Sequence, residues 1–164
     1  MKLKRRLAFF SVMLVISVFL VSVSSCKGDG LEVDENGNVI DNSWKDEIPT
    51  GKTILAFDIS GNYSIKSGNE SVKNWNEVAV HFYVDGEPQW GSKPGENPSW
   101  PGLVLSKRCT SNSDIFWAEV DENKLGRGTC IFNNNNKGTQ LIDVSANFVK
   151  GSRYIFRNGN FKEF

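Results

Sequence analysis

The sequence predicts an all-β protein: one immunoglobulin-like β-sandwich behind a cleaved signal peptide and a flexible tether. Three observations lead there. About seven or eight short apolar runs recur through the second part of the chain, the count expected of a sandwich. Asn-Gly, Pro and Gly signals separate them. No stretch after residue 25 sustains a helical apolar period.

The first 25 residues stand apart. Lys2, Lys4, Arg5 and Arg6 precede an apolar run over 7–23, broken only by Ser11, Ser17 and Ser22. Ser24, Ser25 and Cys26 follow. This is the order of a secretory signal. Val23-Ser24-Ser25-Cys26 also resembles the lipobox of bacterial lipoproteins, which implies acylation of Cys26 and a lipid anchor in the cell envelope. An uncleaved anchor is the alternative, since the run approaches spanning length. Either way the remainder lies outside the cytoplasm.

The whole chain carries 19 basic and 19 acidic residues. Without the four basic residues of positions 1–25, 15 basic face 19 acidic, a net charge of −4. A mildly acidic chain with no basic stripe is a poor nucleic-acid binder, so no nucleic-acid partner is expected. Residues 26–52 read as the lipidated cysteine and a linker rich in Gly, Asp, Glu and Asn. Its 34–41 stretch contains an Asn-Gly turn signal and partly imitates a calcium loop. The closing bidentate Glu of such a loop is missing, so it reads as spacer.

The domain proper is placed at 53–164. Residues 53–59 (TILAFDI) form the first strand, and 61–74 are polar and turn-rich. Residues 78–84 (VAVHFYV) alternate. Val78, Val80, Phe82 and Val84 fall on one face, with Ala79, His81 and Tyr83 on the other. A long loop over 85–98 holds three prolines and three glycines. Strands at 103–105, 115–120, 129–132, 141–144, 153–156 and 160–164 complete the set, with Asn158-Gly159 as the turn before the last. Trp75 and Trp117 belong to the core by their place beside and within strands.

Cys109 and Cys130 remain after Cys26. An even pair in an exported chain points to a disulfide; two separately buried thiols are the alternative. No CxxC is present. With His81 as the only histidine, no zinc ligand set and no cofactor are expected. Carboxylates such as Asp114 and Glu119 lie on turns or solvent faces, and no nucleophile motif accompanies His81. A binder is therefore expected and not an enzyme.

The apolar face of 78–84 is the natural core, which turns His81 and Tyr83 outward. Aromatic rings with polar edges suit sugars, which offer C–H patches on one side and hydroxyls around the rim. The other reading packs both rings beneath the 85–99 loop. Trp90 and Trp100 lie in or beside that loop, where exposed aromatics are ligand candidates. The run Asn133 to Asn136 follows Ile131 and Phe132, and reads as a polar loop or as amides aimed at an uncharged ligand.

Three ordered blocks, NWNEVAVHFYVDG, SWPG and IFNNNNKGTQLIDV, resemble the starch-binding carbohydrate-binding modules of family 26, with family 25 a near relative. The resemblance spans roughly residues 53–154. It implies a non-catalytic module for α-glucan, either starch or maltooligosaccharides, with glycan-degrading or transport proteins as partners. His81, Tyr83 and Trp100 would stack on glucose rings with Trp90 in reserve, while Trp100 could instead pin the Trp-Pro-Gly turn. Asn133, Asn134 and Gln140 would bond hydroxyls, and one or two of the asparagines would adopt positive φ. Two positions depart from the family pattern: His81 replaces a spaced aromatic, and Gln140-Leu141-Ile142-Asp143 lacks the family's threonine. A structural or interaction lipoprotein of the same fold, without sugar, is the second reading.

Overall fold

The computed structural model describes residues 41–164. The signal segment, Cys26 and the 26–40 part of the linker lie outside the described residues. Twelve strands follow in chain order among those described: β1 (Ile54–Asp58), β2 (Ile65–Ser67), β3 (Ala79–Val84), β4 (Glu87–Pro88), β5 (Leu103–Val104), β6 (Lys107–Arg108), β7 (Ile115–Glu119), β8 (Gly126–Asn133), β9 (Gln140–Leu141), β10 (Val144–Phe148), β11 (Arg153–Arg157) and β12 (Asn160–Glu163). They form two sheets, β12-β11-β1-β7-β6 and β2-β9-β8-β3-β4. On the second sheet β10 also pairs with β8, and β5 with β3. The expected all-β sandwich is the observed architecture. β1 and β11 run parallel, while the other pairs are antiparallel.

Alternation along each strand builds the core. Leu55 and Phe57 of β1, Val80 and Phe82 of β3, Phe132 of β8 and Phe156 of β11 meet between the sheets, all essentially inaccessible. Phe132 stacks on Phe156 with ring centroids 4.5 Å apart and lies 4.8 Å from Phe57. Trp75 is buried in this cluster, as expected.

β1 is buried along its whole length, so both faces of the first sheet are covered. On the outer side Ile54, Ala56, Ile115, Trp117 and Ile155 pack beneath Trp44 and Ile48. This corrects the linker boundary. The 3-10 helix Ser43–Glu47 belongs to the fold. Trp44 and Ile48 are 1% and 2% exposed, and burying each contributes about 1.5–3 kcal/mol. Arg153 Nη1 donates to the carbonyls of Lys45 and Ile48 at 3.3 and 3.1 Å. The Glu47 carboxylate accepts the Thr110 N–H at 2.6 Å, the Thr110 hydroxyl at 2.8 Å and the Ser111 N–H at 2.7 Å. The Ser111 hydroxyl first, and then these bonds, pull its pKa down to about 2. The composition of 41–52 is linker-like, but one tryptophan and one isoleucine suffice to dock it.

The disulfide expectation is also corrected: both cysteines are free and buried. Cys109 belongs to the outer cluster under Trp44, and Cys130 to the core between the sheets. The first sheet separates them. Its two faces look alike in sequence, because both are apolar.

Strand boundaries differ where residue type misleads. β8 begins three residues before the expected 129, at Gly126-Arg127-Gly128. Gly128 is required there: a Cβ would lie 2.5 Å from the Phe82 ring and from the Tyr83 carbonyl oxygen. The expected 141–144 strand divides into β9 and β10, with Ile142 46% exposed between them.

Candidate functional site

β3 presents Ala79, His81 and Tyr83 on the outer face of the second sheet. Their partners on β8 are Asn133, Ile131 and Thr129. The expected orientation holds, because Val80 and Phe82 go inward to 0% exposure. His81 and Tyr83 are half-buried and do not disappear beneath the long loop. Their ring centroids are 6.0 Å apart.

Trp100 joins them from the neighbouring turn. Its ring centroid is 5.4 Å from His81, tilted 56°, and it is 40% exposed. The Trp100-Pro101 peptide is cis. Gly102, at φ +94°, lets this turn lie directly on β3: a Cβ there would meet the Val80 carbonyl oxygen at 2.1 Å. Trp100 Nε1–H donates to Asn136 Oδ1 at 2.9 Å. The ring is therefore exposed and at the same time a pinned part of the turn.

The asparagine run divides into two pairs. Asn133 and Asn134 are 1% and 2% exposed. Asn133 Nδ2 donates to the Pro101 carbonyl at 3.1 Å, and its Oδ1 accepts the Asn136 N–H at 3.2 Å. Asn134 Nδ2 donates to Glu70 Oε2 at 2.6 Å, and its Oδ1 accepts the Thr139 N–H at 3.0 Å. This corrects their assignment as ligand-contacting amides: both are buried and bonded to protein groups, as buried polar groups must be. Asn135 and Asn136 have φ of 50° and 67°, the left-handed turn conformation expected for one or two of the four.

Trp90 is corrected as well. It is 2% exposed and packs on Phe82 and Phe148, with centroids 4.6 and 5.2 Å away. Its Nε1–H donates to the Lys124 carbonyl at 2.9 Å. The Pro/Gly-rich loop folds this ring into the core, where burying its large apolar area is favourable. Gln140 lies on β9 opposite Asn133 and is partly exposed. The next residue, Leu141, is in the core, so Gln140 faces outward with His81 and Tyr83.

Two further residues complete the face. Tyr83 Oη–H donates to Asp143 Oδ2 at 3.0 Å, and Lys66 Nζ reaches Asp143 Oδ1 at 2.6 Å. The Lys66 bond holds the Asp143 carboxyl below its usual range, while burial and the Asp143 bond push the Tyr83 hydroxyl up. Asp143 was visible only as the last residue of Gln140-Leu141-Ile142-Asp143. Lys66 had no signal, because 61–74 reads as a polar connection yet contains edge strand β2.

The site is a surface. A cavity of 430 Å³ lies by Lys93, Pro94, Val104, Lys107, Ala118 and Glu119, and one of 250 Å³ by Tyr63, Leu141, Ile142, Val144 and Phe156. Neither is lined by His81, Tyr83 or Trp100. What this face can do chemically is stack: three rings, one of them a phenol, with an outward amide and an ion-paired carboxylate offer flat apolar area with hydrogen-bonding edges.

No family model and no curated protein matches the chain. The fold is similar to the crystal structure of the family 26 carbohydrate-binding module CBMbc from Eubacterium rectale Amy13K, solved in complex with maltoheptaose. The identity is 16% and the TM-score 0.46, over 69% of this chain and 44% of that one. The present chain thus spans less than half the length of that solved protein.

Proposed function

We propose that this protein is a lipid-anchored, extracytoplasmic module that binds α-glucan without cleaving it. The observation that carries the reading is the outward cluster of Trp100, His81 and Tyr83 on one sheet face, edged by Asp143, Lys66, Asn136 and Gln140. Glucose rings present C–H faces to such a platform and hydroxyls to its rim. The motif order described above narrows the sugar to starch-like chains. Glycan-degrading or transport proteins would be its neighbours in the envelope, with Cys26 holding the anchor.

Retention of the detergent-solubilised chain on insoluble amylopectin, with no reducing sugar released, is the expected result. Hydrolysis abolished by a single carboxylate substitution would sink the non-catalytic reading. The second reading, an interaction lipoprotein without sugar, is favoured by one observation: Asn133 and Asn134 are buried and bonded to protein groups, away from any ligand. Absence of retention, with the fold intact, would select it.

A further inference from the structure

We propose that the aromatic face binds its glucan more tightly with His81 neutral, so that acidification weakens binding. The inference rests on the α-glucan reading above. It starts from the position that departs from the family pattern. His81 is the only histidine of the chain, and it sits between Tyr83 and Trp100 at the centre of the platform.

Its Nδ1 is buried and has no hydrogen-bond partner among the described residues. A buried bare acceptor is tolerated more readily than a buried orphan N–H, so the neutral ring keeps its proton on Nε2. Protonation would add an N–H at Nδ1, where no acceptor waits, and a charge to a half-buried ring. Burial accordingly holds the imidazole below its ordinary value of about 6.5.

The charged and titratable groups around the ring do not offset this. Tyr83 neighbours it on β3, and Ile131 and Thr129 face the two from β8. Asp143, after β9, is bonded to Tyr83 and to Lys66 of β2. Trp100 contacts His81 from the turn and is held by the uncharged Asn136. At the far end of the asparagine loop Lys137 pairs with Glu77 at 2.6 Å. Asp143, the carboxylate bonded to Tyr83 on this face, is already ion-paired.

A neutral glucan stacked on this platform covers the ring further and brings no counter-charge. The imidazole pKa of the complex must then lie below that of the free protein. By linkage, affinity is complete above the free pKa, declines as pH falls from that value, and levels off below the pKa of the complex. Each unit of separation is a tenfold change in Kd.

The test uses the full chain in detergent with maltoheptaose as probe. Kd is measured calorimetrically from pH 7.5 to 4.5, and the lone imidazole is titrated by NMR with and without sugar. The expected result is a Kd about tenfold weaker at pH 4.5, with an imidazole pKa that drops on saturation. In His81→Phe, the ratio of Kd at the two pH values should fall toward one. Tight binding at pH 7.5 that persists unchanged at 4.5 overturns this inference alone, as does an imidazole pKa that stays or rises on saturation. Absence of binding at every pH removes the α-glucan reading and this inference with it.

Discussion

Tyr83→Ala and Phe82→Ala should separate cleanly, although the residues are adjacent. Phe82 is 0% exposed and packs against Trp90 and Phe148 at 4.6 and 5.2 Å. Truncation leaves a cavity among rings that cannot collapse into it and costs about 3–5 kcal/mol. For a domain of this size that lowers Tm by roughly 10–20 °C. Tyr83 lies on the other face, half-buried, and its hydroxyl donates to the exposed Asp143 at 3.0 Å. Losing that bond costs about 1 kcal/mol of stability or less. Losing a stacking ring at a binding platform costs about 1–3 kcal/mol of affinity, roughly a 5- to 150-fold rise in Kd. Thermal melting and calorimetry with maltoheptaose read the two effects on the same samples. Tyr83→Ala should keep a near-native transition and bind weakly, whereas Phe82→Ala should melt early. If Tyr83→Ala melts as early as Phe82→Ala, or binds as well as the unaltered protein, the assignment of the two strand faces to core and platform is wrong.

Three other outcomes are expected. Asn133→Ala should destabilise by about 1–3 kcal/mol, since it strands the Asn136 N–H and the Pro101 carbonyl. It should also weaken maltoheptaose binding by loosening the Trp100 turn; unchanged melting and binding would contradict the role given to Asn133. In Cys26→Ser, Ellman's reagent without reductant should find no reactive thiol in the native protein and two after denaturation. Burial and the Glu47 charge push Cys109 up to about 11, and burial alone raises Cys130 far above its usual range; no thiol after denaturation would restore the disulfide. Glu47 has a folded pKa of about 2, below its unfolded value, so its stabilising contribution is full above about 4.3 and is lost as pH falls toward 2. Glu47→Gln should flatten that part of the stability profile, measured by urea melts from pH 6 to 2.5.

The sequence made the sandwich legible where one face of a strand is polar and the other apolar. β3 is the clearest case: the alternation Val80, His81, Phe82, Tyr83 assigned both the core and the outward rings. Legibility failed where both faces are apolar. β1 is buried on both sides, so nothing in TILAFDI reveals that a second cluster with Trp44 covers its outer face. An even pair in an exported chain points to a disulfide, and no strand pattern reveals that the first sheet lies between Cys109 and Cys130. Trp90 and Trp100 stand ten residues apart around one loop, with similar neighbours. Only the path of the loop sends one into the core and leaves the other 40% exposed.

The asparagine run shows how residue type alone can suggest the wrong role. Amides suit sugar hydroxyls, which made a row of four look like a row of ligand contacts. Consecutive side chains in a tight loop cannot all point one way, and two of these four backbones are left-handed. The loop therefore folds Asn133 and Asn134 inward and leaves Asn136 exposed, holding the Trp100 indole. Asn133 bonds the carbonyl that follows this indole, and Gly102 seats the same turn on β3. Trp100 is thus fixed from three sides before any ligand arrives. A ring already in place loses little conformational freedom on stacking. On the α-glucan reading, Asn133 would then act on affinity through the rigidity of the turn it supports, without touching the sugar.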